Sequence, residues 1–99
     1  TDGALKQVFG NDPAKGPALR YPQGLCIGPD GTIFLTEYGA HRVSRYAPDG
    51  RLVGTYGRAG RGPGEFNSPR GVTVDHEGIV YVADTDNHRV LAFKPGAAA

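Results

Sequence analysis

Short apolar runs separated by glycine- and proline-rich turns extend along the whole chain. No segment keeps the 3.6-residue apolar period that marks a surface helix. The turn sequences Pro29-Asp30-Gly31, Pro48-Asp49-Gly50 and His76-Glu77-Gly78 suit tight hairpins between such runs. The pattern therefore predicts an all-β chain.

Two of the predicted strands are apolar at consecutive positions, Ile33–Leu35 and Ile79–Val82. A strand with one solvent-exposed face alternates apolar and polar residues. Because these strands do not alternate, we expect both of their faces to be covered. A β-sandwich, the alternative architecture, would have polar outer faces. The pattern favours four-stranded antiparallel sheets stacked face to face, as in the blades of a β-propeller.

The chain is an internal repeat, because a shift of 47 residues aligns it with itself without a gap and gives 11 identities in 47 positions. We divide it into a first repeat (2–48), a second repeat (49–95) and a tail (96–99). Each repeat is predicted to hold four strands, which in the second repeat are Leu52–Tyr56, Gly71–Asp75, Ile79–Asp84 and Arg89–Phe93.

Composition narrows the class of protein further. The 99 residues include 16 glycines and 8 prolines, which disfavour long helices. Cys26 is the single cysteine, so the chain forms no internal disulfide and no zinc cluster. A net charge of +1 gives no reason to expect a nucleic-acid partner. No apolar run approaches the ~20 residues of a membrane span, and the first residues do not resemble a signal peptide.

The most specific motifs lie in the second repeat: Phe66–Asp75 (FNSPRGVTVD), Gly78–Thr85 (GIVYVADT) and Asn87–Val90 (NHRV), preceded by the loop Gly60–Phe66. On these motifs the chain resembles the NHL repeat family of β-propellers, over essentially its whole length. The first repeat matches less closely, since Gly28 stands at the position of Asp75.

The resemblance implies a fold rather than an activity, because NHL-like propellers include sensor, RNA-binding and protein-binding domains and also lyases. Propellers of this family usually have six blades, and this chain has material for two. Two isolated blades would leave an apolar face exposed at each end. We therefore expect three copies to close a six-bladed ring, with a tetramer of eight blades as a lesser possibility.

The predicted strand Leu5–Phe9 has no earlier strand in its own chain with which to form a hairpin. By the symmetry of the repeat, its partner is a strand equivalent to Arg89–Phe93 of a neighbouring copy. The expected function is a non-enzymatic, self-assembling scaffold, either a fragment or a designed unit, whose partner is itself. The residues expected to take part in this strand exchange are Leu5, Val8, Phe9, Arg89, Val90, Leu91 and Phe93.

A charged motif recurs at the same offset in both repeats. We expect its carboxylates and arginines to form structural ion pairs, with anion recognition by a ring of arginines as the alternative. We expect its histidines to form hydrogen bonds within or between blades rather than to bind metal, because one histidine per blade need not converge on an ion. The motif consists of Glu37, His41 and Arg42, and of Asp84, His88 and Arg89.

A second group is basic or aromatic and suggests a binding face. Arg58, Arg61 and Arg70 occur in or beside the long loop of the second repeat, and Tyr38 lies in a loop of the first. Three copies could present these side chains to a peptide, a glycan or a nucleic acid. The low net charge and the acidic Glu65 in the same loop count against this, so a binding platform is the alternative function.

Signals of catalysis are weak. Gly60–Gly64 lacks the Gly-Lys-Ser/Thr ending of a phosphate loop, and Ser44 and Ser68 lack the motif around a serine nucleophile. Cys26 is expected to be a small core residue. A lyase- or lactonase-type propeller with a metal on the ring axis is a lesser alternative, which no cluster of metal ligands supports. We expect no catalytic residue, cofactor, metal or membrane partner.

Overall fold

The computed structural model describes Leu5, Gly10, Ala14 and residues 18–96. These residues contain no α-helix, and one short 3-10 turn, Thr85–Asn87, precedes the last strand. In chain order the strands are β1 Pro22–Ile27, β2 Ile33–Glu37, β3 Arg42–Tyr46, β4 Leu52–Tyr56, β5 Arg58–Ala59, β6 Glu65–Phe66, β7 Pro69–Val74, β8 Val80–Asp84 and β9 Arg89–Phe93.

The first sheet is an antiparallel meander in the order β1-β2-β3-β4. Its register places Leu35 opposite Ser44 and Val43 opposite Tyr56. Strand β4 lies in the second sequence repeat, yet it completes the sheet of the first. Sheet and sequence repeat are therefore out of phase by one strand, which ties the two repeats together.

The second sheet has three antiparallel strands in the order β7-β8-β9. The prediction of two four-stranded blades is therefore right for the first sheet only. Within the described residues no strand pairs with the outer edge of β9. Of the residues expected to supply such a strand, Val8 and Phe9 lie outside the described residues. Leu5 is 82% exposed and belongs to no strand.

The core lies between the two sheets, which face each other like adjacent propeller blades. Phe34 and Val43 of the first sheet contact Val80 and Val82 of the second, and all four side chains are buried. The rings of Tyr56 and Phe93 meet at 5.2 Å at the outer side of this interface. Each large side chain buried here contributes about 1.5–3 kcal/mol to folding. The core is completed by Phe66, Tyr56, Val72, Val74, Leu91 and Phe93.

Burial differs between the central strands of the two sheets. In β2 and β3 every residue after the first is buried, so both faces are covered as the sequence predicts. In β8 burial alternates, and in β9 half-buried residues alternate with exposed ones. Within the described chain only one face of the second sheet is covered, because no further layer packs on its outer face.

The loop after β4 contains a feature that the sequence reasoning missed, a short parallel pair of β5 and β6. Gly57 begins this loop with a φ of +91°, and a Cβ there would lie 2.3 Å from the Phe66 ring. Gly10, one period earlier, has a φ of +93°, and its Cβ would lie 2.4 Å from Leu19. The repeated glycine thus lets an apolar side chain cross the backbone closely.

Candidate functional site

The recurring charged motif forms two clusters, one where β1 begins and one where β7 begins. In the first cluster Glu37, fully buried at the end of β2, accepts hydrogen bonds from Arg42 at 2.8 Å (Nε) and 3.1 Å (Nη2). It also accepts one from the backbone N–H of Arg20 at 3.0 Å and one from the Ser44 hydroxyl. The carboxylate thus joins the segment before β1 to both β2 and β3.

The second cluster repeats this design with different donors. Asp84, fully buried at the end of β8, accepts hydrogen bonds from the Asn67 N–H at 2.6 Å and from Arg89 Nε at 2.9 Å. A third comes from Asn87 Nδ2 at 2.9 Å, since Leu91 has replaced the hydroxyl-bearing Ser44. The same arrangement is therefore built twice from partly different side chains.

Both carboxyls are held ionised although they are buried. Burial by itself raises the pKa of Glu37, but hydrogen bonds from Arg42, Ser44 and the Arg20 N–H outweigh it, so the pKa lies below its ordinary value. Burial likewise raises the pKa of Asp84, and the donors of Asn67, Asn87 and Arg89 more than offset it, so that pKa is also lowered. Neither carboxyl has the raised pKa that suits a general acid.

The clusters act as structural clamps on the adjoining loop. The Nη2 group of Arg89 donates to the carbonyls of Gly62 and Glu65 at 3.0 and 2.9 Å. Asn87 donates to the carbonyl of Gly60 at 2.8 Å. Because donors already occupy these carboxylates, little acceptor capacity remains for a substrate or metal. Within the described residues, no three His, Cys, Asp or Glu side chains converge as metal ligands.

The two repeated histidines have different surroundings. His41 Nδ1 accepts a hydrogen bond from the backbone N–H of Ser68 at 3.0 Å, which links the first sheet to the start of the second. The His88 side chain is exposed. His76, in a turn, is exposed as well.

The residues of the expected binding face do not all come together. The Arg70 guanidinium lies over the Tyr38 ring, 4.9 Å from its centroid, where the two sheets meet. Arg58 instead pairs with Glu65 at 3.0 Å on the β5–β6 loop. Arg61 is exposed on the same loop. The structure therefore yields one arginine–tyrosine pair and a separate loop with two arginines.

Two further positions differ from simple sequence expectations. Arg45, which the sequence reasoning did not single out, is buried and donates to Asp30 Oδ2 at 2.7 Å and Thr32 Oγ1 at 3.0 Å. It also donates to the carbonyl of Gly96 at 2.6 Å, which ties the chain after β9 to the first sheet. No motif marks this contact, since Ala92 stands at the equivalent position. Cys26 is half-buried rather than in the core.

Stacked antiparallel sheets with this repeated clamp define a propeller-like, all-β repeat protein. Residues 19–46 and 66–93 match the family model of the NHL repeat, so the chain belongs to the NHL repeat family. The resemblance found in the sequence is thereby confirmed. The two matched segments start 47 residues apart, the period of the internal repeat.

A curated relative and two solved structures add to this comparison. The chain is 38% identical over 66 residues to RING finger protein nhl-1 of Caenorhabditis elegans, covering 67% of this chain but only 7% of that protein. A streptogramin B lyase structure aligns with a TM-score of 0.55 at 17% identity, covering 86% of this chain and 28% of that one. A catalytically inactive virginiamycin B lyase from Staphylococcus aureus, crystallised with quinupristin, aligns with a TM-score of 0.52 at 21% identity. This alignment covers 88% of this chain and 29% of that one.

The likeness to the two lyase structures concerns the fold, because identity is low and the chain spans under a third of their length. Within its described residues the chain has no helix long and apolar enough to cross a bilayer.

Proposed function

We propose that this chain is a non-enzymatic, self-assembling propeller unit, of which three copies close a six-bladed ring. The family match and the propeller-like neighbours support the two-blade part of this proposal. Ring closure is inferred from the surfaces that the described chain leaves uncovered. The observation that carries it is the contrast between Val43 and Val90.

These two valines occupy the same position in successive repeats. Val43 in β3 is fully buried against the second sheet, whereas Val90 in β9 is 68% exposed. Around Val90, the residues Gly71, Thr73, Tyr81 and Ala83 form an apolar hollow of about 300 Å³. The outer face of the second sheet thus presents the equivalent of the buried valine of the first sheet without a blade packed over it.

The opposite end of the unit has the complementary surface. In the second sheet Val72 and Val74 pack against the core, while their equivalents in the first sheet, Leu25 and Ile27, are 61% and 64% exposed. The interface inside the chain therefore supplies a template for the interface between copies. The outer face around Val90 would receive Leu25 and Ile27 of the next copy, and a head-to-tail contact of this kind closes when its rotation permits.

The open edge of β9 supports strand exchange at the same junction. Beside it lies a groove of about 230 Å³ between Tyr56, Phe66, Leu91 and Phe93. In the first sheet the corresponding edge is occupied by β4, which the following repeat supplies. By the same rule, Leu5–Phe9 of the next copy would pair with β9, adding a strand through its backbone hydrogen bonds.

The proposal is tested with one substitution on each face. Val90→Asp and Ile27→Asp change exposed residues, so each variant is expected to fold but to lose the trimer. Mass is measured by light scattering, with His76→Asp in an exposed turn as control. Wild type and control are expected to show three times the mass of the chain, and a folded wild-type monomer would contradict the proposal.

Mixing the two variants sharpens the test. Each keeps one intact face, so Val90→Asp and Ile27→Asp chains are expected to form a one-to-one complex that cannot close. The intact pair joins the Val90 face of the Ile27→Asp chain to the Ile27 face of the Val90→Asp chain. If the variants instead stay separate, the two faces are not complementary and the head-to-tail ring is wrong.

A binding platform is the second candidate function, favoured by the exposed Arg70 guanidinium stacked on Tyr38. An arginine pre-positioned on an aromatic ring can receive an anionic or planar group at little further entropic cost. Binding of single-stranded RNA and of an acidic peptide, measured by fluorescence anisotropy, tests this idea. Loss of a salt-dependent signal in Arg70→Ala but not Arg51→Ala would support it, and equal signals in both variants would contradict it.

A further inference from the structure

The contact between His41 and Ser68 is a directional link from one sheet to the next. The His41 imidazole accepts through Nδ1 the hydrogen bond that the Ser68 N–H donates. Both residues have left-handed backbone, with φ of 53° at His41 and 55° at Ser68. The Ser68 N–H donates to the preceding sheet, and Ser68 is only 5% exposed.

The same backbone occurs one period away in each direction. Tyr21 has a φ of 55°, as Ser68 does, and His88 has a φ of 55°, close to that of His41. Tyr21 and His88 are exposed, one at each end of the described unit. The first sheet therefore presents Tyr21, the equivalent of the donor Ser68, and the second sheet presents His88, the equivalent of the acceptor His41.

We propose that Nδ1 of His88 in one copy accepts a hydrogen bond from the backbone N–H of Tyr21 in the next copy. The inference rests on the proposed ring and names the contact that sets its register. Apolar packing is non-directional, so by itself it does not fix the orientation of one blade on the next. A directional bond at one fixed position selects a single docking geometry.

Other polar links between the two sheets do not recur at the junction between copies. The Thr36 hydroxyl donates to the Arg70 carbonyl at 3.0 Å, but Ala83 stands at the equivalent position. Arg45 reaches the Gly96 carbonyl, but its equivalent is Ala92. Because the residues that form these two links are replaced by alanine and the histidine is kept, His88 is the side chain that we expect to form a directional hydrogen bond across this apolar interface.

The test compares His88→Gly with His88→Asn. Both residues tolerate left-handed backbone, so neither change strains the turn. Glycine removes the acceptor, whereas the Asn side-chain oxygen can occupy the position of Nδ1. We expect His88→Gly to raise the trimer dissociation constant about a hundredfold, since roughly fivefold is lost at each of three interfaces. The trimer dissociation constant of His88→Asn should lie close to that of the wild type, and His76→Gly should leave the constant unchanged.

The outcomes separate this inference from the proposed function. If the wild type is a monomer by sedimentation velocity, both the proposed ring and the proposed His88 contact are contradicted. If the wild type is a trimer and His88→Gly has the same dissociation constant, only the His88 contact is wrong. A spectroscopic readout is the Tyr21 amide proton, which should move upfield in His88→Gly rings and stay in place in His88→Asn rings.

Discussion

At the scale of single residues, the fold depends on buried carboxylates whose hydrogen bonds are satisfied. Glu37 and Asp84 are fully buried, and each is bound by an arginine and by a backbone N–H of the segment that precedes β1 or β7. An unpaired buried charge would cost several kcal/mol, so each carboxylate and its donors must form together. The clusters therefore specify where the loops attach.

A prediction at this scale concerns acid stability. The folded-state pKa of Asp84 lies below its ordinary value of 3.8, so its carboxylate stabilises the fold above that pH. This contribution is lost as the pH falls through the lowered folded-state pKa. Asp84→Asn should cost about 2–3 kcal/mol at pH 7, less than the ~3–5 of a fully buried pair because Arg89 is partly exposed. The free energy of unfolding of the variant should also fall less than that of the wild type between pH 5 and about 2.

Urea unfolding at fixed protein concentration, followed at pH 7 and at about pH 3, measures both effects. The matched control is Glu77→Gln, because Glu77 is exposed in the turn before β8. The control should change stability by less than about 0.5 kcal/mol at either pH. An Asp84→Asn variant with the acid dependence of the wild type would show that the buried pair does not drive acid unfolding.

At the scale of elements, the two sheets are joined by a hydroxyl as well as by apolar packing. Thr36 in β2 is fully buried; it accepts from the Gly24 N–H at 2.8 Å and donates to the Arg70 carbonyl at 3.0 Å. The hydroxyl thus connects two strands of the first sheet to β7. Its position on the inner face of β2 follows from the two-residue period of a strand.

Replacing this hydroxyl by a methyl group tests the connection. Thr36→Val keeps the side-chain volume but leaves the Gly24 N–H and the Arg70 carbonyl without their partner. The free energy of unfolding should fall by about 1–3 kcal/mol. Thr55→Val, at an exposed position of β4, is the matched control and should be neutral within about 0.5 kcal/mol. Equal midpoints for the two variants in urea would contradict the expected role of the hydroxyl.

At the scale of the whole molecule, the out-of-phase arrangement of sheets and repeats is the central feature. β4 crosses from the second repeat to complete the first sheet, and Gly54 lies opposite Arg45 there. One period away, the corresponding residues are Gln7 and Ala92. If the same register joins two copies, these residues lie opposite each other across the ring junction.

A disulfide tests this register. In a Cys26→Ala background, the double variant Gln7→Cys, Ala92→Cys should form bonds between chains on mild oxidation. Non-reducing electrophoresis should then show bands of two and three chains, which disappear on reduction. Each single variant is the control and should give at most the dimer of an exposed thiol. A double variant that closes only within its own chain, and so runs as a monomer, would contradict strand exchange between copies.

Much of the fold could be predicted from the sequence, and the reasons are local. Turn residues such as Asp49 and Gly50 mark hairpins, and alternation or continuity of apolar residues marks strands and their coverage. The 47-residue period was visible because glycine, proline and core positions recur with it. The pairing of Glu37 with Arg42 could also be predicted from the sequence, because the two residues are five positions apart across the hairpin between β2 and β3.

Other features had no local signal. Arg45 reaches Gly96 across 51 positions of the chain, and Thr36 reaches Arg70 across 34. Nothing in the residues around either side chain indicates such a partner. The β5–β6 pair was missed because a two-residue parallel contact leaves no periodic pattern in a loop rich in glycine.

The sequence by itself determined the class of element, the repeat and the charged motif, because each depends on the conformational preferences of neighbouring residues. The tertiary structure alone decided which surfaces remain uncovered. Val43 and Val90 both follow His-Arg at the same position of the repeat, yet one is fully buried and the other 68% exposed. Burial depends on what packs against a strand from a distant part of the chain, and that is a property of the assembled sheets.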